Sequence, residues 1–155
     1  MVTYLTAEKK QLEQSIDDHI DRHPQLKKDR DLMTSIPGVG RVVSRVMLSV
    51  LHGHQFACAG QVAAFIGLIP RIQESGQWKG RSRLSKQGSS KIRAKLYMAA
   101  VTSVSCNPDL RAQYQRLLSK GKSKMQAIVA AMRKLVQICF GVVKHQSEYR
   151  PQCLI

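Results

Sequence analysis

The sequence predicts an all-α fold, made of a projecting N-terminal helix and a compact helical domain. Apolar residues recur at helical spacing over most of the chain, and Pro, Gly, Asn and Ser separate these periodic segments as helix caps and stops. No segment shows a convincing alternation of apolar and polar residues, although Arg71–Trp78 is compatible with a small hairpin.

The first predicted element is a helix from Thr3 to about His23, ended by Pro24. Its apolar stripe is narrow and consists of Leu5, Leu12, Ile16 and Ile20. A narrow stripe among charges of both signs favours a coiled-coil arm that joins copies of the chain, and the alternative is a surface helix packed on its own domain. We expect a linker helix at 1–26, a DNA-binding domain at 27–147 and a tail at 148–155.

The next segment predicts a helix-hairpin-helix, a module that grips the nucleic-acid backbone without reading bases. A short helix ends near Ser35, a tight turn covers Ile36–Gly40, and a second helix runs from Arg41 to about Leu51. Gly38 and Gly40 allow close backbone approach, and the amides of the following helix N-terminus suit a phosphate oxygen. A plain helical corner is the alternative. The second helix should bury Val42, Val43, Val46, Met47, Val50 and Leu51.

Four further helices are predicted after this turn. One covers 56–68 and is closed by Gly67, one covers 89–105 after a Ser89 cap, and one covers 108–120 after Asn107-Pro108. The last, at 123–145, is the most hydrophobic and should be the centre of the core. The buried faces should include Val62, Ala63, Phe65 and Ile66, then Ile92, Leu96, Met98, Ala99 and Val101, and finally Met125, Ile128, Val129, Met132, Leu135, Val136, Ile138, Val142 and Val143.

The charge of the chain indicates a polyanionic partner, most often nucleic acid. Twenty-five Lys and Arg stand against ten Asp and Glu, for a formal net charge of +15. Most of the acids lie in residues 1–31, so the segment after them is strongly basic.

The basic residues concentrate between Arg71 and Lys95, and the larger part of this region, from Arg71 to Ser90, has no hydrophobic period. Its cations, glycines and serines suit phosphate contacts, and Trp78 could stack on an exposed base. A serine beside guanidinium groups can also attack a phosphodiester, but composition does not say which serine would do so. A solvated basic loop is the alternative. With Gly38, Gly40 and Arg41 of the turn, the predicted binding residues are Arg71, Gly76, Lys79, Arg81, Arg83, Ser85, Lys86, Lys91 and Arg93.

No metal site and no membrane segment are expected from this sequence. The acids after residue 31 are Glu74, Asp109 and Glu148, which stand far apart, and the histidine pairs have no further ligand near them. The four cysteines form no CxxC pair and no signal peptide opens the chain, which favours reduced thiols in the cytoplasm. The longest apolar stretches fall short of a membrane span.

Six motifs in order give the chain a resemblance to a known family. They are Ile36–Gly40, Phe65–Arg71, Glu74–Gly76, Gly80–Gly88, Leu96–Ala100 and Asn107-Pro108. Between Leu32 and His145 the chain resembles the C-terminal domain of the Piv/MooV-type recombinases, the insertion-sequence one-ten family of transposases.

The resemblance implies a role for one serine. The family pairs an N-terminal RuvC-like nuclease half, whose acids bind divalent metal such as magnesium, with a C-terminal domain whose serine is required for strand transfer. The serine motif maps onto Pro70, Ser75 and Gly76, which makes Ser75 the implied nucleophile and Ser85 the second choice. A structural turn role for Ser75 is the alternative.

The resemblance also implies partners and limits. Family members act on DNA as oligomers with a structured guide RNA, here in the bacterial cytoplasm at the nucleoid. Because no acidic half is present, we expect a truncated transposase, with no cofactor of its own, that binds nucleic acid but does not cut alone. The competing hypothesis is a non-catalytic helix-hairpin-helix protein that coats nucleic acid or inhibits the intact transposase.

Overall fold

The computed structural model describes residues 1–71, 74–75, 78–79 and 83–152, with the backbone alone at 74–75 and 78–79. Helices account for most of these ranges, which confirms the all-α prediction. The described helices are α1 (Val2–Arg22), α2 (Pro24–Thr34), α3 (Arg41–Gly53), α4 (Ala59–Ile66), α5 (Ser90–Cys106), α6 (Pro108–Ser119) and α7 (Lys124–His145). The short strands are β1 (Pro70–Arg71), β2 (Glu74–Ser75), β3 (Trp78–Lys79) and β4 (Arg83–Leu84).

Helix α7 lies at the centre of the fold, as predicted, and packs against α2, α3, α4, α5 and α6. It begins with a capping box, in which the Ser123 side chain and the Gln126 side chain each bind the other residue's backbone amide. Met125 was expected in the core but is exposed, because it lies in the first turn, before the helix enters the core. The buried residues of α7 are Ala127, Ala131, Met132, Leu135, Val136, Cys139 and Val142.

By length and composition, α7 could cross a membrane, contrary to the expectation that every apolar stretch is too short. Its packing against other helices instead gives it the surroundings of a core helix. Burial raises the pKa of its Cys139 thiol to about 12.

Helices α1 and α2 are separated by a single residue, His23. Pro24 both ends α1, as predicted, and occupies the first turn of α2, where its missing N–H costs no hydrogen bond. Near its end α1 buries Ile20 in the core, whereas Leu12 is 64% exposed, and Leu5 and Ile16 are exposed with it. Most of the predicted stripe therefore faces away from the domain.

An ion pair fastens the second half of α1 to α3. Arg45 donates from Nε and Nη2 to the two carboxylate oxygens of Asp17, at 2.8 and 2.5 Å. Both side chains are largely buried. The hydrogen bonds from Arg45 hold the pKa of Asp17 below its usual value. This contact fixes the direction in which α1 leaves the domain.

The turn between α2 and α3 packs tightly against α5. Gly38 has a φ of +95°, and a Cβ at this position would lie 2.7 Å from the Ser103 Cβ and 2.8 Å from its Cα. Ser103 is fully buried on α5. Val42 was expected to be buried but is about half exposed, because it follows the turn on the outer side of α3. Val43, Met47 and Val50 are buried as predicted.

Two predicted buried faces proved partly wrong. Phe65 is 42% exposed, because the inner face of α4 is filled by Val62, Ala63 and Ile66. On α5, Met98 and Val101 are exposed, because small residues of that helix are the ones that meet its neighbours. The buried residues of α5 are Leu96, Ala99, Ala100 and Ser103.

The predicted hairpin exists but is longer than Arg71–Trp78. Strands β1 and β4 are antiparallel, with Pro70 opposite Leu84 and Arg71 opposite Arg83. Further out, β2 and β3 are antiparallel, with Glu74 opposite Lys79 and Ser75 opposite Trp78. The described part of this hairpin therefore consists of two antiparallel strand pairs, the first joining 70–71 to 83–84 and the second joining 74–75 to 78–79.

The chain after α7 folds back over the domain. The Tyr149 hydroxyl lies 2.9 Å from Asn107 Oδ1 and 2.5 Å from Asp109 Oδ2, and its amide donates to the Ser35 hydroxyl at 3.0 Å. The Gln152 amide donates to Asp109 at 3.0 Å. This tail connects the end of α2 to the start of α6.

A buried carboxylate connects α2, α3 and the end of α7. Asp29 is 1% exposed. It accepts hydrogen bonds from Gln25 Nε2 at 3.1 Å and Gln146 Nε2 at 2.7 Å, and its other oxygen lies 2.8 Å from His52 Nε2. Such partners satisfy a carboxylate that would otherwise be costly to bury.

Candidate nucleic-acid interface

The base of the hairpin is joined to α4 and α5 by backbone contacts. Gly67 ends α4 in the left-handed region, and its carbonyl accepts from the Lys86 amide at 3.3 Å. The Ser85 amide donates to the Ile69 carbonyl at 2.9 Å. The hairpin therefore leaves the domain from a fixed base, with Lys86 exposed beside it.

Arg93 strengthens this base. Its Nη1 lies within 3.0–3.3 Å of three carbonyl oxygens, those of Ile66, Gln87 and Gly88. This atom links the end of α4, the end of the hairpin segment and the first turn of α5. The predicted phosphate-binding role of Arg93 remains a prediction, and the structure adds this structural role.

Two predicted binding residues lie directly opposite each other at the hairpin base. Arg71 and Arg83 are cross-strand partners, and both are exposed. Directly opposed side chains share one face of a pair of strands, and like charges in that position destabilise it. An anion between the two guanidinium groups would remove the repulsion, which makes this face a suitable phosphate site.

The implied nucleophile lies further out on the hairpin. Ser75 is in β2, opposite Trp78, and Lys79 is in β3, opposite Glu74. For these positions the structure gives the backbone alone. Gly76 and Arg81, which were predicted to bind nucleic acid, lie outside the described residues. The backbone register thus places Ser75 within the arm that carries the cations.

Ser85, the second candidate, has a different environment. Its Oγ is buried and has no hydrogen-bond partner within the described part of the chain. Its amide is used at the hairpin base, as noted above. A hydroxyl in this position would have to move before it could contact a phosphodiester.

The turn between α2 and α3 brings Gly38, Gly40 and Arg41 together, and their surroundings differ. Gly38 faces α5, whereas a Cβ at Gly40 would meet nothing within 4 Å among the described residues. The Arg41 side chain is 82% exposed, with one Nη 3.9 Å from Asp17. Gly40 and Arg41 therefore face open space, and Gly38 serves packing.

The first turn of α5 supplies another exposed cation of the predicted set. Lys91 is exposed there, and the helix begins at the predicted Ser89 cap, whose hydroxyl accepts from the Ile92 amide at 3.4 Å. Lys91 thus joins Arg71, Arg83 and Lys86 as an exposed cation near the hairpin base.

No group of three or more His, Cys, Asp or Glu side chains is placed to hold a metal ion in the described part of the chain. The absence of a metal site from the whole chain remains a prediction, because it also concerns residues outside the described ranges. Cys58, Cys106 and Cys139 are free thiols.

One surface cluster escaped the sequence analysis. The Phe65 ring lies 4.4 Å from the His54 ring and 5.7 Å from the Phe56 ring, measured between centroids. We call His54, Phe56 and Phe65 the aromatic cluster. The available signal was Gln61, which is exposed one helical turn before Phe65 and therefore marks the outer face of α4.

Comparison with known proteins places this chain among transposases. A model of the Transposase IS116/IS110/IS902 family matches residues 30–115, more than half of the chain. The chain therefore belongs to the IS116/IS110/IS902 family of transposases, as the six motifs had suggested.

Individual relatives agree with this family. The chain is 31% identical to the pilin gene-inverting protein of Moraxella bovis over 142 residues, which cover 90% of this chain and 44% of that protein. It is 32% identical to the transposase for insertion sequence element IS1111A of Coxiella burnetii over 127 residues, or 79% of this chain and 35% of that protein. The chain thus spans less than half the length of these relatives.

Proposed function

We propose that this chain is the DNA-binding C-terminal part of a transposase or site-specific recombinase, and that Ser75 is its nucleophile for strand exchange. The observation that carries the proposal is the family match over a domain whose hairpin bears Ser75 on the same arm as the paired Arg71 and Arg83. DNA is the expected substrate, as the name of the family implies.

Charge supports the binding part of the proposal. Arg71, Arg83, Lys86 and Lys91 are exposed at or near the base of one arm, and no acid occurs between residues 75 and 108. Phosphate groups would offset the repulsion among these cations and would release counterions from the DNA on binding. Gly40 and Arg41 at the α3 N-terminus supply a second backbone contact in this proposal, as a helix-hairpin-helix would.

The burial of the Ser85 hydroxyl and the serine motif favour Ser75 as the nucleophile. In the proposed step the Ser75 Oγ attacks the phosphorus, its proton passes to a base, and one P–O bond to a sugar breaks. The released sugar oxygen takes up a proton, so the reaction exchanges one phosphoester for another. Nearby guanidinium groups would offset the charge that develops on the phosphorus. Ser85 is less suited, because its Oγ is buried.

We infer that the metal chemistry, with magnesium as the expected ion, belongs to an acidic half outside these residues, and that strand exchange requires both parts. A structured guide RNA is a further proposed partner, and the bacterial cytoplasm, at the nucleoid, is the proposed location. Nothing in this proposal requires a membrane.

Helix α1 supports a homo-oligomer. Leu5 and Leu12 are one heptad apart, Ile16 follows four residues later, and all three are exposed on a helix that carries both signs of charge. A second copy of α1 would cover this stripe as a coiled coil. Leu12→Lys should convert the assembly to monomers in analytical ultracentrifugation, whereas Lys10→Gln, on the same helix but outside the stripe, should leave it unchanged.

The test of the nucleophile is strand exchange, with an acidic metal-binding half supplied to this chain. Ser75→Ala should keep DNA affinity within about twofold and lose exchange by roughly 1,000-fold or more, as removal of a catalytic nucleophile does. Ser85→Ala is the matched control and should keep exchange. A covalent protein–DNA adduct, trapped in denaturant, should map to Ser75 by mass spectrometry.

Each other outcome changes the proposal in a defined way. Exchange that persists in Ser75→Ala would remove Ser75 as the nucleophile, and loss in Ser85→Ala alone would assign that role to Ser85. DNA binding without exchange or adduct in the unmodified assembly would favour the non-catalytic binding protein or inhibitor.

A further inference from the structure

We propose that the aromatic cluster is a stacking site for an unpaired nucleobase, with Phe65 as its main platform. This inference rests on the proposed nucleic-acid binding and adds to it a distinction between single strands and duplexes. No sequence motif assigned a ligand to these rings.

The first argument is the exposure of Phe65. Its ring is 42% exposed on a short helix whose other apolar residues, Val62, Ala63 and Ile66, are buried. A large apolar side chain left in water in this way does not stabilise the fold as a buried one does. A flat ligand that covered the ring would recover this free energy.

The second argument is that the ring is held in place. The His54 ring lies 4.4 Å away at an interplanar angle of 50°, and the Phe56 ring lies 5.7 Å away at 64°. The segment behind them is also fixed, because the Ala57 amide donates to the Gln61 side chain at 2.7 Å. Two neighbouring rings thus hold Phe65, and with the residue 42% exposed, part of the ring surface stays open for stacking.

The third argument is charge. The Lys144 ammonium donates to the Ala57 carbonyl at 3.1 Å, beside Phe56. The Lys86 backbone also binds Gly67, two residues after Phe65. No acid occurs in the chain from residue 32 to residue 73, which includes all three rings. A sugar-phosphate backbone that passes the rings would therefore have the Lys144 ammonium near it and no carboxylate from this segment.

These features favour a nucleobase over another apolar partner. Aromatic stacking accepts any base, because every base has a π-face, and the phosphates that flank it need cations nearby. A duplex keeps its bases stacked inside and offers only the phosphates. The cluster should therefore add affinity for a single strand and none for a duplex.

The test measures binding of the full chain to a single strand of roughly 20 nucleotides and to the duplex of the same sequence. Phe65→Ala should weaken single-strand binding by about 5- to 150-fold, the range that loss of one stacked base produces. Phe65→Leu should be as weak, because it keeps the apolar volume without the ring. Phe65→Trp should restore affinity, and duplex affinity should stay within about twofold in all variants.

Two controls separate stacking from folding. Met98→Ala removes another exposed apolar side chain, from α5, and should change neither affinity. Phe65→Leu and Phe65→Trp keep a large side chain, so they report on the ring even where the alanine variant is unstable. Photo-crosslinking of a strand that contains 5-iodouracil should mark the peptide with Phe56 and Phe65.

The results also separate this inference from the proposed function. Failure of the unmodified chain to bind either probe would overturn both. The stacking site alone would be overturned if the unmodified chain binds both probes and Phe65→Leu binds the single strand with the same affinity as the unmodified chain. Equal weakening of single-strand and duplex binding by Phe65→Ala would overturn it as well, and so would the absence of a crosslink near the rings.

Discussion

Replacing Gly38 by alanine tests whether the turn between α2 and α3 is held by packing. The φ of +95° is one that residues with a Cβ rarely adopt, and enforcing it costs about 1–3 kcal/mol. The new Cβ would also lie 2.7 and 2.8 Å from the Cβ and Cα of Ser103, and closer still to its Oγ. Moving the α5 backbone aside adds a cost of roughly 1–3 kcal/mol.

The expected loss is therefore about 2–6 kcal/mol in the free energy of unfolding. In a domain of this size that corresponds to a decrease in Tm of roughly 4–24 °C. Urea denaturation followed by circular dichroism gives the free energy, and a thermal scan gives the Tm. Gly40→Ala is the matched control, because it has an ordinary φ and open space around it.

Gly40→Ala should change stability by no more than about 1 kcal/mol, since only the preference for glycine over alanine at a helix N-cap is lost. Its effect should instead fall on DNA affinity, because the added methyl group lies where the backbone amides would meet a phosphate. Equal stability of Gly38→Ala and the unmodified chain would refute the packing argument for this turn.

Three further predictions follow from the ion pair, the hairpin base and the buried thiol. Asp17→Asn should destabilise the chain at neutral pH. Because the folded-state pKa of the Asp17 carboxyl is lowered, the difference in the free energy of unfolding between Asp17→Asn and the unmodified chain should vanish as the pH falls through and below the ordinary Asp value. Urea titrations across pH measure this difference. Arg93→Gln should lower the Tm, because it removes the Nη1 donor that three carbonyl oxygens share, whereas Lys91→Gln should not. Cys139 should stay unmodified by iodoacetamide in the folded chain while Cys58 reacts, as peptide mapping would show. Because the pKa of Cys139 is raised only in the folded state, stability should also decrease with rising pH between its ordinary value and about 12.

The parts of the fold that sequence predicted well are set by local interactions. The Ser89 cap, the Asn107-Pro108 start of α6 and the start of α7 near Ser123 each involve residues within one helical turn. Their chemistry is therefore visible in a short stretch of sequence. The helix boundaries follow from them to within a few residues.

The parts that sequence missed depend on distant residues. Asp29 is buried because His52 and Gln146 reach it from positions 23 and 117 residues away. Phe65 was misjudged because α4 is almost wholly apolar, so that periodicity could not distinguish its inner face from its outer face. The packing of Gly38 on Ser103 was equally hidden, since the same glycine pattern suits a phosphate-binding turn.

The candidate site shows the same contrast between features set by a short stretch of sequence and features set by distant residues. Motif order was enough to indicate the family and to suggest Ser75. The fold added three facts, which are the pairing of Arg71 with Arg83, the burial of the Ser85 hydroxyl and the three contacts of Arg93. These three facts change how a charged loop is interpreted. They separate the residues that hold the arm in place from those that are free to meet a phosphate.

Salt dependence of duplex DNA binding by this chain measures whether the exposed cations at the hairpin base contact phosphates. If five to eight phosphates are contacted, the logarithm of affinity should fall against the logarithm of salt concentration with a slope of about −4 to −7. Replacing both Arg71 and Arg83 by Gln should bring the slope about two units closer to zero, and Lys9→Gln on α1 should leave it unchanged. A slope near zero, or no duplex binding at low salt, would contradict a DNA-binding role for this surface.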